Sequence, residues 1–232
     1  MIIDFQNLMM PFDFGLRTSL KDVDLIRSMG EEEYSRIKSA GELSLRSVER
    51  WRSEEVFNSR LPEIQKIAFI KCFSINNNNT ICYWKDQKPE QMVVAFPHFG
   101  LECVDMCKGV RLFDSLSNLI HTIAFEHYPS KDYSTGIFSS AIFSPILKRV
   151  EYEKNGGKRG IERDESKLLI DGVAHTDYFS AFSKIKSCYS VQEECRLVLV
   201  MRASHSIDIP DIAEIRITLK PNYLDKIDTL LI

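Results

Sequence analysis

Two stretches of the chain are apolar almost without a break: Ile67-Ala68-Phe69-Ile70-Lys71-Cys72-Phe73 and Leu197-Val198-Leu199-Val200-Met201. Short runs rich in branched and aromatic side chains predict strands buried on both faces. Met92-Val93-Val94-Ala95-Phe96, ending at Pro97, predicts another strand. Alternation in Arg149-Val150-Glu151-Tyr152-Glu153, and again from Ile215 to Leu219, predicts half-buried strands. Elsewhere the spacing is helical. Ser19 and Asp22 form a capping-box pattern around Leu20, Val23, Ile26 and Met29. Gly30 breaks that helix, and Glu31-Glu32-Glu33 favours the start of the next, because carboxylates suit a helix N-terminus. Leu45, Val48 and Trp51 carry the helical spacing towards Pro62. Leu112 to His127 predicts a helix with Leu116, Leu119, Ile120 and Ile123 on one side. Asp177 to Ser187 predicts another, with Tyr178, Phe179, Phe182 and Ile185 inward.

These elements predict a single domain over 1–232, with a mostly helical lobe at 1–65 and a sheet-containing core at 66–232. Strands and helices mix without a βαβ rhythm, so the expected class is α+β with a mainly antiparallel core sheet. The Asn76–Asn79 tract and Asn155–Gly160 read as a turn and a loop. Dinucleotide, P-loop and G-x-S-x-G signatures do not occur.

Composition narrows the function classes. The chain has 232 residues, 44% of them hydrophobic, and a net charge of -3. That balance excludes a uniformly basic nucleic-acid binder and leaves room for a local basic groove. No apolar run approaches the ~18 residues of a membrane span. Met1-Ile2-Ile3-Asp4 has no basic, signal-like lead-in, so a cytoplasmic protein with no membrane partner is expected. None of the six cysteines forms a C-x-x-C pair. Cys103 and Cys107 are four apart, as on one helix face, with His98 the one histidine nearby. Free thiols and no metal are the expectation.

Candidate chemistry gathers before the second apolar run. Gln192-x-Glu194 places two polar side chains on one side of a strand entrance. A glutamate there can accept from a sugar hydroxyl and stabilise an oxocarbenium-like centre as a glycosidic bond breaks. The bland alternative is a surface pair, Glu194 with Arg196 or Glu193 with Lys186. Ser74, at the end of the first run, can wall a pocket or cap the Asn tract. Tyr83 and Trp84 can stack on a planar ring or simply fill core. His98, after Pro97, has no acid partner in view, and His121 and His127 read as helix-face residues rather than catalysts. Lys158-Arg159 in a Gly-rich loop reads as solvated.

Four patches together resemble the bacterial domain-of-unknown-function family numbered 2971: Pro11-Phe12-Asp13; Cys72-Phe73-Ser74 with Trp84 and the strand at Met92–Phe96; Val150-Glu151-Tyr152; and Lys184 or Lys186 with Tyr189, Glu194 and Arg196. Gln192 stands where that family has a glutamate, Cys195 where it has an aromatic, and Met92 where it has a glycine. The layout is also similar to ADP-ribosyltransferases, whose second glutamate binds the nicotinamide ribose. That resemblance implies NAD as substrate and no metal. It implies Glu194 as the catalytic residue, Gln192 facing the acceptor, and Ser74, Tyr83, Trp84 and Arg196 on the cofactor side. Arg46, read as helical, is the stand-in for a basic N-terminal NAD-binding residue. A toxin or phage-defence effector acting on a protein or nucleic-acid acceptor is the implied setting, alone or as a homo-oligomer. The rival readings are a non-catalytic interaction module, and a nucleic-acid effector with Lys184, Lys186 and Arg202 as a basic edge.

Overall fold

The structure, a computed structural model, describes residues 2–3, 23–47, 68–123, 141–153, 169–170, 173–174, 184–203, 207–208 and 212–230. Its centre is a ten-stranded sheet. The strands are β1 (Val23–Met29), β2 (Glu42–Ser47), β3 (Ala68–Ile75), β4 (Met92–Phe99) and β5 (Val110–Phe113), then β6 (Leu119–Ile123), β7 (Ala141–Arg149), β8 (Glu194–Ala203), β9 (Glu214–Thr218) and β10 (Asp228–Thr229). Every pairing among them is antiparallel. Three described helices punctuate the order: α1 (Glu31–Ala40) joins β1 to β2, α2 (Asn78–Gln87) joins β3 to β4, and the single turn α3 (Pro221–Leu224) lies between β9 and β10.

The sheet forks at β3. One edge of β3 pairs with β8 from Ala68 to Ser74, and β8 pairs in turn with β7. The other edge is shared. Ile70 and Phe69 pair with Arg46 and Ser47 of β2, while Ser74 and Ile75 pair with Ile26 and Leu25 of β1. Between those contacts no described strand lies beside the edge, and the two arms diverge. One arm runs β1–β4–β10 and the other β2–β9–β5–β6. The helix α1 spans the opening, since it links the two strands that part.

The α+β class and the antiparallel sheet stand as expected, and so do the strands at both apolar runs. The helical reading of the N-terminal region does not hold where the chain is described. Val23–Met29 is a strand because both its faces are covered: Leu25 and Met29 join the main core, while Ile26 packs with Ile81 and Val93. Burial on both sides removes the alternation, and the remaining spacing of Val23, Ile26 and Met29 imitates a helix. Leu45 likewise lies in a strand, with Leu43 and Ser47 buried on the same face. The acidic triplet does begin a helix, α1, which Gly41 closes in the left-handed conformation at φ 65°.

The helix expected from Leu112 to His127 is a hairpin in its described part. Asp114 ends β5, and its Oδ1 accepts from Leu116 N and Asn118 N, a side-chain turn that the apolar spacing conceals. Leu116, Leu119 and Ile120 are exposed as a result. Lys184–Lys186, expected to be helical, is a short strand parallel to Glu151–Glu153, followed by a 3-10 turn at Ser187–Gln192. The Asn tract is a helix start: Asn77 caps α2 through a reciprocal box with Thr80. Cys103 and Cys107 fall in separate 3-10 turns rather than on one helix face. Pro11-Phe12-Asp13, Lys158-Arg159 and His127 lie outside the described residues.

Candidate functional site

Antiparallel register brings the distant polar residues together. Glu194 opens β8 opposite Ser74, and Arg196 lies opposite Cys72. Alternation places these four side chains on one face of the sheet. On that face Arg196 donates twice to the Glu194 carboxylate, Nε to Oε1 at 2.6 Å and Nη2 to Oε2 at 3.2 Å. Glu194 is 7% exposed and Arg196 2%. The pair is therefore enclosed. It is neither the surface pair of the bland reading nor a carboxylate set in an open cleft. The Glu194 backbone N–H donates to the Tyr152 hydroxyl at 2.7 Å. Burial pushes that hydroxyl up to about 12. The Cys72 thiol is pushed well up, by burial first and by the neighbouring Glu194 charge second.

Around the pair the other expected residues form a chain of contacts. The Ser74 hydroxyl accepts from Trp84 Nε1 at 2.8 Å. Tyr83 and Trp84 meet edge to face at 5.1 Å between ring centres. Gln192 Nε2 donates to the Tyr83 hydroxyl at 3.1 Å. Trp84 thus reaches a strand-end hydroxyl and packs against the Ile26–Ile81–Val93 cluster, which ties α2 to the sheet. Glu193, at φ 41°, turns the chain into β8. Its carboxylate accepts from Asn77 Nδ2 at 3.1 Å and from Arg149 Nη2 at 3.3 Å.

A second constellation sits in the fork. A cleft of about 630 Å³ opens there, among β1, β2, β3 and α1. Five basic side chains line it, Arg27, Arg36, Arg46, Lys71 and Lys88, against two carboxylates, Glu33 and Glu214. Arg27 Nη1 donates to the Cys72 carbonyl at 2.7 Å, satisfying an acceptor that the fork leaves without a strand. Arg27 Nε donates to Glu33 Oε1 at 3.1 Å, and Lys71 Nζ donates to the same oxygen. Burial works against ionisation of Glu33, but Arg27 and Lys71 outweigh it and hold its carboxyl at about 2. Burial, and then the Arg27 charge, bring Lys71 down to about 7. Glu214 is engaged elsewhere, by Arg216 Nε at 2.5 Å, within a ladder that continues through Glu42 to Arg111. Arg36 stays 3.8 Å from Glu214.

Sequence reading and structure meet only partly here. Gln192, Glu194, Ser74, Tyr83, Trp84 and Arg196 are neighbours, but none of them lines the cleft. Cys72 is the shared wall, since it faces Arg196 across the strand pair and also lines the cleft. Arg46 lies on a strand rather than a helix, and it does line the cleft. The residues that sequence reasoning missed are Arg27, Glu33 and Lys71. One signal was in view: Lys71 is the lone charge inside an apolar run, and such a charge calls for a buried partner. Among the described residues, no group of three or more His, Cys, Asp or Glu side chains is placed to hold a metal. Five cysteines, Cys72, Cys82, Cys103, Cys107 and Cys195, are free thiols. No described helix is long and apolar enough to cross a membrane. Comparison with protein-family models, with curated proteins and with solved structures finds no match to this chain.

Proposed function

We propose that this protein binds a nucleotide of the NAD type, with the diphosphate held in the cleft at the sheet fork. The observation that carries the reading is the lining: five basic side chains converge on one cleft while the chain as a whole carries a net charge of -3. Convergent cations in a partly dehydrated cleft favour a multiply charged anion over water. A volume of about 630 Å³ suits a nucleotide-sized ligand. Arg46 is exposed on β2, so its replacement reads binding with little change in folding. Thermal shift with NAD, ADP-ribose and ADP tests the proposal. A ligand at ~100 times its dissociation constant adds ~2.7 kcal/mol. NAD and ADP should raise the melting temperature of the natural protein, and Arg46→Glu should remove the shift. No shift with any of the three ligands at millimolar concentration sinks the reading.

ADP-ribosyl transfer is the second reading, and the clustering of Gln192, Ser74, Tyr83 and Trp84 around Glu194 favours it. Glu194 would act on the nicotinamide ribose only with its Arg196 pair opened, because a carboxylate neutralised by a guanidinium stabilises little developing positive charge. The setting that goes with this reading is a cytoplasmic toxin or phage-defence effector with a macromolecular acceptor. The discriminating protein is Glu194→Gln, assayed for folding and for NAD turnover.

A further inference from the structure

In the fork, one carboxylate oxygen holds two cations. Glu33 Oε1 accepts from Arg27 Nε and from Lys71 Nζ, and both cations line the cleft. Lys71 is buried, and its only carboxylate partner among the described residues is Glu33. Arg27 and the Lys71 ammonium share that single negative charge, and Arg46 lies close enough to Lys71 to add positive charge beside it, which together with burial and Arg27 brings Lys71 down to about 7. A phosphate group carries more charge and three acceptor oxygens, so it would satisfy both donors better.

The carboxylate comes from the end of a helix and is open to solvent on one side. Glu33 sits in the first turn of α1 and its side chain is 26% exposed. Gly30, the N-cap of α1, makes no side-chain capping bond, and a Cβ built there would meet nothing within 4 Å. The first-turn N–H groups therefore have no side-chain acceptor from the N-cap. The anchor of α1 lies further along, where Ile37 is buried in the core and Gly41 N–H donates to the Ile37 carbonyl.

We infer that Arg27 and Lys71 form a phosphate subsite that the Glu33 carboxylate fills in the free protein, so that diphosphate binding exchanges one anion for another and releases the first turn of α1. This rests on the cleft being the nucleotide site and adds its specificity: a weak monoanion cannot displace Glu33, whereas a diphosphate can. The groups facing Glu33 are Arg27 from β1 and Lys71 from β3, with Glu31, Glu32 and Arg36 on its own helix.

Inorganic pyrophosphate is the probe, titrated calorimetrically into the natural protein and into Glu33→Gln. Removing the internal competitor should tighten pyrophosphate binding about 10-fold, within the usual span of coupling free energies. A second measurement needs no variant. In ¹³C-glutamate-labelled natural protein the Glu33 carboxyl titrates at about 2 when free, and pyrophosphate should return it towards the ordinary 4.5. If pyrophosphate binds the natural protein while the Glu33 resonance stays where it was, the exchange does not occur and the inference fails, whatever Glu33→Gln does. Absence of pyrophosphate binding to both proteins overturns it equally. If pyrophosphate binds and displaces Glu33 while NAD and ADP do not bind, the subsite stands and the nucleotide reading falls. If NAD binds the natural protein without moving Glu33 and Glu33→Gln gains no affinity for pyrophosphate, the nucleotide reading stands alone.

Discussion

Glu194 and Arg196 are two positions apart on one strand, so their side chains share a face and close into a two-bond pair. Both are buried, and this decides what a substitution does. Glu194→Gln removes the carboxylate charge that Arg196 meets through two bonds in the interior, and breaking a buried pair from one side costs ~3–5 kcal/mol. A denaturant melt should show that loss, and Glu194→Gln with Arg196→Met together should recover much of it, since the buried guanidinium is replaced by an apolar side chain. A Glu194→Gln protein that melts like the natural one while losing NAD turnover would reverse this and favour the catalytic reading.

At the scale of an element, α1 depends on its ends. Its start has no side-chain cap, and its end is closed by Gly41, whose φ of 65° is a left-handed conformation that glycine adopts freely. Space matters there as well. A Cβ on Gly41 would lie 3.2 Å from Leu224 Cδ1 and 3.4 Å from the Leu219 carbonyl oxygen. Gly41→Ala should therefore destabilise the protein by ~1–2 kcal/mol, from the left-handed backbone alone, with the crowding adding to it. The melting curve checks this, and an unchanged midpoint would refute it. Leu219 N–H also donates to the Gly41 carbonyl, so the same turn joins α1 to the end of β9.

Across the whole molecule the fork of β3 is the organising feature. Residues of one strand present their backbone groups to alternate edges. Ile75 N–H bonds towards Glu193 at the β8 edge, and the Cys72 carbonyl receives Arg27 at the other edge, where no described strand lies. The Cys72 amide points to that same open edge. Hydrogen exchange should find it distinctly faster than the amides of Lys71 and Phe73 on either side, although all three lie in the middle of the core sheet. Equal protection at the three positions would mean that the arms of the sheet are closed. The same divergence explains the cleft: strands that part from a common neighbour expose backbone and admit charged side chains to the interior.

The sequence alone determined the two central strands, because the apolar runs that hold Phe69, Ile70 and Phe73 and Leu197, Val198 and Leu199 are stable only in a core, where these side chains are buried. It also determined the antiparallel α+β class and the acidic start of α1, whereas Gln192, Glu194, Ser74, Tyr83 and Trp84 become neighbours through strand register. Periodicity misled where a strand is covered on both faces, as at Val23–Met29, and where Asp114 makes a turn inside an apolar stretch. Only tertiary structure decided that Glu194 is closed against Arg196, since pairing depends on burial and burial on which strands lie alongside. It also decided that Arg27, Arg46 and Lys71 converge, because they come from three strands whose meeting is a matter of register. Local sequence carries spacing along one strand; the cleft is made by where two strands separate, and no single stretch of the chain encodes that.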